Sequence, residues 1–467
     1  MMEFESALRA LLARVVDGFQ SLNNVTQLTA GASQETYRIA LTANGDEMTL
    51  ALRRAQPTAE ADSTVGAISL ETEAALLRLA HDAGIPEPAV IHVLEKNDAL
   101  GCGFLMEWLE GETLGQRIVK VDELAQLRPR LAFMCGEALA RVHALDYNAE
   151  GIRGALPTVS PEKLIDETWA QYQALDVPVP MIDYTWRWLK SNLPTGSRTT
   201  LVHGDFRNGN LMVSPAGIEA VLDWELAHIG DPMRDLGWLC VNSWRFGRSE
   251  LAVGGFGQLE DLLAGYESVA GIAVPQEEVH FWQVFGSFWW AMATLLMANA
   301  WRRGDTPSLE RPVIGRRSSE AQMDCVNLLI PGPFELPDTD RSVHEGTQLP
   351  MPAELLEGVA KFLKEDVAAT DDPHKGFLAR VAANSLGIAQ RELLCGPELA
   401  KTEERRLQDL LGATENLDTL RWSLVYQLRD DMALDTPGLA AHLRQTVAAQ
   451  LAIDQPRYSA LSKPADA

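Results

Sequence analysis

The chain has 467 residues with 65 acidic against 40 basic side chains, a formal net charge of −25. Such a surplus excludes the basic face that nucleic acid or an anionic membrane surface rewards. The length exceeds one ordinary core, so two or three domains are expected, and the 46% hydrophobic content is that of a globular protein.

The amino terminus, MMEFESALRALLARVVDGF, places acidic residues where a signal peptide needs positive ones, and reads as an amphipathic helix. Leu28 to Arg38 follows as strand, small-residue turn and strand, with Gly31, Ala32 and Ser33 at the turn. It lacks G-x-G-x-x-G, so a plain β-turn and a phosphate-facing loop both fit. Met48 to Arg54 alternates as a strand, which puts Arg53 and Arg54 on opposite faces. Ile68 to Ala80 has leucines at helical spacing among acidic residues, including Glu73. After the rigid Gly84-Ile85-Pro86-Glu87-Pro88 turn, Phe104 to Gly111 holds an apolar strand running into Glu107, Trp108 and Leu109. Leu131 to Leu145 is helical, with His143 as a packed residue near its end. The helical stretch 157–194 carries Trp169, Trp186 and Trp188, an aromatic wall for an acceptor or core packing.

The richest stretch is LVHGDFRNGNLMVSPAGIEAVLDWE, 201–225. Phosphoryl transfer needs a carboxylate near the attacking hydroxyl, oxygen ligands for Mg²⁺, and a scaffold that holds them in line. His203 to Asn210 fits H-x-D-x-x-x-x-N, the kinase catalytic-loop spacing. Two short strands joined by Ser214-Pro215-Ala216-Gly217 then deliver Asp223, at the end of the second, as an acidic residue suited to a metal.

Further on, 281–300 is long and apolar, yet Gln283, Ser287 and Asn299 fit a buried helix better than a membrane span. Arg316 and Arg317 read as salt-bridging helix residues or as part of an anionic acceptor site. The proline-rich, aperiodic 331–352 reads as a linker. Beyond it, apolar residues at spacings of three and four define a small helical domain with no metal spacing and no nucleophile motif. The five cysteines, Cys102, Cys135, Cys240, Cys325 and Cys395, form no C-x-x-C pair and read as reduced thiols, which suits the cytoplasm.

The ordered run His203-Gly204-Asp205 with Asn210, then Asp223-Trp224-Glu225, then Gly230-Asp231-Pro232 and Asp235-Leu236 resembles the aminoglycoside phosphotransferase and choline kinase family. Leu52-Arg53-Arg54 and Ile314-Gly315-Arg316-Arg317 with Glu320 resemble its branch associated with acyl-CoA dehydrogenases. The resemblance implies an α+β, two-lobed protein-kinase-like fold followed by a small all-α domain. The amino-terminal lobe, an antiparallel sheet plus helix, would occupy 1–110, the mainly helical catalytic lobe 111–330, the linker 331–352 and the helical domain 353–467.

By the same resemblance, Asp205 is the catalytic base, and Asn210 and Asp223 are Mg²⁺ ligands. Asp231 and Asp235 are structural. Gly31, Ala32 and Ser33 face nucleotide phosphate. Arg53 binds phosphate with Glu73 as its ion-pair partner, and Glu107, Trp108 and Leu109 present backbone groups to the base of ATP or GTP. Arg53 departs from the usual kinase lysine, and no lysine precedes Lys96. The implied activity is phosphoryl transfer to the hydroxyl of a small molecule, such as a hydroxyacyl-CoA or hydroxy acid, with an aminoglycoside or choline-like acceptor as the alternative. Arg53 also keeps open a nucleotide-binding pseudokinase, and a metal-dependent hydrolase using His203, Asp205 and Asp223 is a third reading. No nucleic-acid or membrane partner is expected. The carboxyl-terminal helices are expected to engage a protein partner, with an acyl-CoA dehydrogenase as the candidate.

Overall fold

In the computed structural model the described residues are 2–28, 34–55, 68–196, 198–305, 307–339 and 349–461. Gly31, Ala32 and Ser33 lie outside them. The amino-terminal lobe opens with helix α1 (Met2–Val15), followed by strands β1 (Phe19–Leu28), β2 (Gln34–Ala43) and β3 (Asp46–Ala55), helix α2 (Leu70–Asp82), and strands β4 (Val90–Val93) and β5 (Gly103–Glu107). The five strands form one antiparallel sheet in the order β1-β2-β3-β5-β4.

Strand alternation gives the sheet two apolar faces, each covered by a helix. Leu8, Leu11 and Leu12 of α1 pack with Ile39, Leu41, Leu50, Leu52 and Leu105. On the other face Leu76 and Leu77 of α2 join Phe104 and the large core below. Ser69 caps α2, its hydroxyl accepting from the Thr72 amide at 3.2 Å, so the helix starts where Glu73 falls in its first turn.

The second lobe begins with α3 (Gly115–Ile118), α4 (Arg128–His143), α5 (Pro161–Gln173) and α6 (Pro180–Ser191). Short strands β6 (Thr200–Val202), β7 (Leu211–Ser214), β8 (Gly217–Val221) and β9 (His228–Gly230) frame the polar stretch, and β6 pairs with β9 while β7 pairs with β8. Helices α7 (Met233–Leu239), α8 (Leu259–Ala270), α9 (Gln276–Arg302), α10 (Glu310–Arg316) and α11 (Ser318–Leu329) complete it. The long apolar α9 is buried along much of its length, and among the described residues no helix is long and apolar enough to cross a membrane. Arg316 pairs with Glu392 at 2.8 Å and Asp454 at 3.2 Å, and Arg317 pairs with Glu320 at 3.0 Å, so both serve as ion-pair residues.

The chain ends in α12 (Pro352–Phe362), the 39-residue α13 (Pro373–Leu411), α14 (Leu417–Arg429) and α15 (Leu439–Asp454). These helices share a core with the second lobe. Met181 and Tyr184 of α6 and Met323 and Val326 of α11 are buried together with Leu407, Leu420, Leu424, Leu443 and Leu451. Polar contacts rivet the same seam. Arg429 Nε donates to the fully buried Asp183 at 2.6 Å, and Arg187 Nη1 donates to the carbonyls of Leu428 and Met432.

Candidate active site

The site lies between the lobes and is built from the bottom by the loop 203–210. Asp235, fully buried at the start of α7, accepts the backbone N–H groups of His203 and Gly204, each at 2.8 Å, and faces His143 Nε2 at 3.1 Å. Burial alone would raise its pKa, but the His143 hydrogen bond and the surrounding positive charge win and hold it at about 2. Asp235 therefore acts as a fixed anionic clamp under the loop. Gly204 has φ +86°, and a Cβ there would sit 2.3 Å from the Leu226 carbonyl oxygen, so only glycine lets the loop pass. Asp231 likewise spends both oxygens internally, on the Met233 amide at 2.9 Å and Trp282 Nε1 at 3.0 Å. Both aspartates have the structural place expected of them.

His203 is fully buried beside Trp224, at 4.6 Å between ring centroids, and its Nδ1 accepts the Asp205 amide at 3.2 Å. Burial lowers its pKa and favours the neutral ring. The imidazole braces the loop from inside.

Asp205 sits above this base with its carboxylate held on three sides. Arg207 Nε donates to Oδ1 at 3.0 Å, Trp238 Nε1 donates to Oδ1 at 2.7 Å, and Asn210 Nδ2 donates to Oδ2 at 2.6 Å. Asn210 Nδ2 also reaches the Asp205 carbonyl at 2.9 Å, while its own backbone carbonyl accepts from Leu222 at 2.7 Å. That last bond brings Asn210 next to the end of β8, where Asp223 follows. Asp223 has φ +68° and ψ +64°, the left-handed region, uncommon for residues other than glycine and most accessible to Asn and Asp.

Across the cleft, Arg53 Nη2 donates to Asp223 Oδ1 at 2.6 Å, and Arg53 Nε lies 3.3 Å from Glu73 Oε1. Arg54, one residue along β3, pairs instead with Glu35 at 2.7 Å and lies over the Phe4 ring at 4.5 Å, as strand alternation requires. Burial opposes the Arg53 charge, but Glu73 and Asp223 more than offset it and raise its pKa. Glu73 is 2% exposed, and burial pushes its carboxyl up to about 7 against the pull of Arg53, with Asp223 and Glu225 adding to the rise. Burial and the neighbouring Asp223 also raise Glu225.

Arg53, Glu73 and Asp223 close one end of a cleft of about 370 Å³ whose apolar walls include Ala51, Phe104, Met106 and Met212. Glu107, Trp108 and Leu109 form its rim. The Glu107 N–H is spent on the Ala89 carbonyl at 2.9 Å, whereas the Trp108 and Leu109 amides bond to no other backbone group among the described residues. A largely apolar cleft lined also by main-chain amides without backbone partners, by a guanidinium and by carboxylates suits a nucleotide with its phosphates at Arg53.

The sequence reading missed Arg207 and Trp238. Arg207 occupies a variable position inside the H-x-D-x-x-x-x-N spacing, and Trp238 directly follows Asp235-Leu236-Gly237, so adjacency to both motifs was the available signal. Of the two readings of Trp169, Trp186 and Trp188, the structure has them as core packing. Trp169 and Trp186 stack at 4.1 Å near Arg429, and Trp188 packs on Phe281 and His280. It is Trp238, Trp244, Trp289 and Trp290 that cluster around the Asp205 side, with Arg207 4.7 Å over the Trp244 ring.

Residues 24–272, more than half of the chain, match the model of the Phosphotransferase enzyme family. The chain belongs to that family. Residues 369–458 match a second model, a domain of unknown function (DUF6285), which places the phosphotransferase family match and the terminal helices in separate segments. Among curated proteins, the chain is 33% identical over 248 residues to acyl-CoA dehydrogenase family member 10 of Mus musculus, covering 51% of this chain and 22% of that protein. It is 27% identical over 224 residues to acyl-CoA dehydrogenase family member 11 of Gallus gallus, covering 44% and 28%. The chain thus spans well under half the length of these relatives. A crystal structure of a protein assigned as an aminoglycoside phosphotransferase from Ralstonia eutropha superposes with a TM-score of 0.56 at 23% identity, covering 69% of this chain and 96% of that one, which shows a shared fold.

Proposed function

We propose that this phosphotransferase-family chain is a Mg²⁺-dependent kinase that moves the γ-phosphate of ATP or GTP to the hydroxyl of a small molecule. The observation that carries the reading is the Asp205 carboxylate, fixed by Arg207, Trp238 and Asn210, with Asn210 joined through Leu222 to Asp223, which pairs with Arg53 beside Glu73 at the cleft. Asp205 positions the acceptor hydroxyl and takes its proton, and the three donors keep its carboxylate aimed. Arg53 holds phosphate oxygens at one end of the cleft, and Glu73 fixes the guanidinium.

Among the described residues no group of three or more His, Cys, Asp or Glu side chains is arranged to hold an ion. One carboxylate and one amide oxygen still suit Mg²⁺, which takes oxygen ligands and is completed by substrate phosphates and water. Asp223 would hold it with the Asn210 side-chain Oδ1, which accepts no hydrogen bond among the described residues, Nδ2 alone being spent on Asp205. The ion would neutralise charge on the phosphates. Arg53 engages Asp223 only at Oδ1, so Oδ2 stays open to the ion, and the guanidinium can turn between carboxylate and phosphate.

For the acceptor we favour a hydroxyacyl-CoA or hydroxy acid, and for a partner an acyl-CoA dehydrogenase, because the relatives named above carry that activity in their names and are far longer than this chain. An aminoglycoside or choline-like acceptor is the alternative. The Arg53–Asp223 bond favours one second reading, a nucleotide-binding pseudokinase in which Asp223 stays paired. The test is Mg²⁺-dependent ATP and GTP consumption across hydroxyacyl-CoAs, free hydroxy acids, aminoglycosides and choline, with Asp205→Ala as control. Acceptor-stimulated turnover lost in the variant supports the kinase. Nucleotide binding without turnover on any acceptor supports the pseudokinase.

A further inference from the structure

A second cleft, of about 580 Å³, opens in the terminal helices, far in sequence from the phosphotransferase family match. The segment just after α11 forms one wall: Glu335 N–H donates to Gln445 Oε1 at 2.9 Å and Gln445 Nε2 donates back to the Glu335 carbonyl at 2.7 Å, strapping Phe334 beside α15. Phe334 and Leu410 supply apolar surface, while Glu335 and Asp409 sit exposed at the rim.

The base of this cleft is polar and unsatisfied. His442 is 3% exposed, and neither ring nitrogen has a hydrogen-bond partner. Arg406 also lines the cleft, its Nη2 donating to Thr446 Oγ1 at 3.1 Å while its buried Nε has no partner. Nearby Arg421 is already neutralised by Glu403 through bonds of 2.9 and 2.5 Å. Burial, reinforced by Arg406 and Arg421, pushes the His442 pKa down to about 3, so the ring is neutral and offers one N–H. The cleft also contains the first turn of α15, which starts at Gly438 (φ +87°) with no side-chain cap. The Ala440 and Ala441 amides there have no backbone acceptor among the described residues.

Buried donors without partners are rare in folded proteins and mark a place where an acceptor belongs. Here a guanidinium N–H, an imidazole N–H and helix N-terminal amides surround one cleft, which is the donor set for an oxyanion. We propose that this cleft binds a small carboxylate on an apolar body, its carboxylate on Arg406, His442 and the start of α15, and its body against Phe334 and Leu410. The acidic rim of Glu335 and Asp409 disfavours a multiply charged phosphate and tolerates a single charge. Nothing in this assignment depends on the phosphoryl-transfer reading.

The test is isothermal titration of the full chain with butyrate, butyramide and inorganic phosphate. Butyrate is expected to bind saturably and butyramide not at all. His442→Leu and Arg406→Gln are each expected to weaken butyrate binding about tenfold or more, the cost of one lost bond to a charged group. His442→Leu replaces an unpartnered imidazole by an apolar side chain, so it should keep or raise the melting temperature and remain usable if Arg406→Gln does not fold. Absence of butyrate binding, equal binding of butyramide, preference for phosphate, or unchanged affinity in His442→Leu would each overturn the proposal.

Discussion

Arg53 Nη2 and Asp223 Oδ1, 170 residues apart in sequence, meet at 2.6 Å across the cleft between the lobes. The bond joins strand β3 of the sheet lobe to a residue just past the end of β8 in the helical lobe, and its acidic partner is the residue proposed to hold the metal. In the proposed reading Arg53 is both the phosphate-facing cation and the partner of the carboxylate that would hold the metal. Arg53→Gln should weaken ATP binding about tenfold or more, through loss of charge-assisted bonds to phosphate. Arg53→Lys should recover only part of this, because an ammonium lacks the second fork that faces Glu73. Titration calorimetry with Mg²⁺ and nucleotide reads both variants, and unchanged affinity in Arg53→Gln would remove Arg53 from the nucleotide site.

Trp238 is expected to position Asp205 rather than merely fill space. Its Nε1 bond of 2.7 Å fixes the carboxylate, and its ring packs on Trp244 and Trp289 at 5.2 and 5.5 Å between centroids. Trp238→Phe retains aromatic bulk and removes the N–H. It should lower kcat on the order of tenfold with little change in KM for nucleotide, since one hydrogen bond to a charged group is lost. A purely structural role would lower the melting temperature and leave kcat per folded enzyme unchanged.

Asp324 makes stability pH-dependent. It accepts from Asn242 Nδ2 at 3.1 Å and from Tyr458 OH at 2.8 Å, with 4% exposure. Burial raises its carboxyl from 3.8 to about 7 despite those bonds. The folded state then holds a proton that the unfolded state has released. The stabilising contribution is complete below the unfolded value and is lost as pH rises to about 7. Asp324→Asn should flatten the dependence of the urea midpoint across that window and gain stability relative to the parent at pH 8. A parent midpoint that is flat from pH 4 to 7 would refute this.

The seam between α6 and α14 should respond strongly to loss of one partner. Arg429→Ala leaves the fully buried Asp183 without its cation, and breaking a buried pair in this way costs about 3–5 kcal/mol. Burial already pushes Asp183 up to about 6, so the loss should be smaller below pH 6, where protonation removes the unpaired charge. Leu424→Ala, in the core shared by α14 with α6 and α11, should cost about 2–5 kcal/mol. Urea unfolding followed by tryptophan fluorescence measures both. A loss confined to a separate transition of the terminal helices would show that the shared core is not cooperative.

How much was legible follows from range. Periodicity placed the amphipathic first helix, the Arg53 strand, the Glu73 helix and the polar stretch around Asp205, because each is written in residues a few positions apart. The spacing from His203 to Asn210 singled out the loop, and the order of motifs through Asp235 pointed to the phosphotransferase fold. Alternation alone separated the directions of Arg53 and Arg54. These are local facts, set by the pitch of a helix and the pleat of a strand.

Only the tertiary structure decided what surrounds Asp205 and what the last helices rest on. Trp238 reaches Asp205 from 33 positions away because Asp235, at the start of the same helix, clamps the His203 and Gly204 amides. The tryptophans that sequence proximity suggested, Trp169 and Trp186, are drawn instead into a stack beside Arg429. The terminal helices read as a separate module because a proline-rich stretch precedes them, yet their leucines are buried against α6 and α11. Apolar periodicity says that a helix has a face to bury, and carries no label for the surface that buries it.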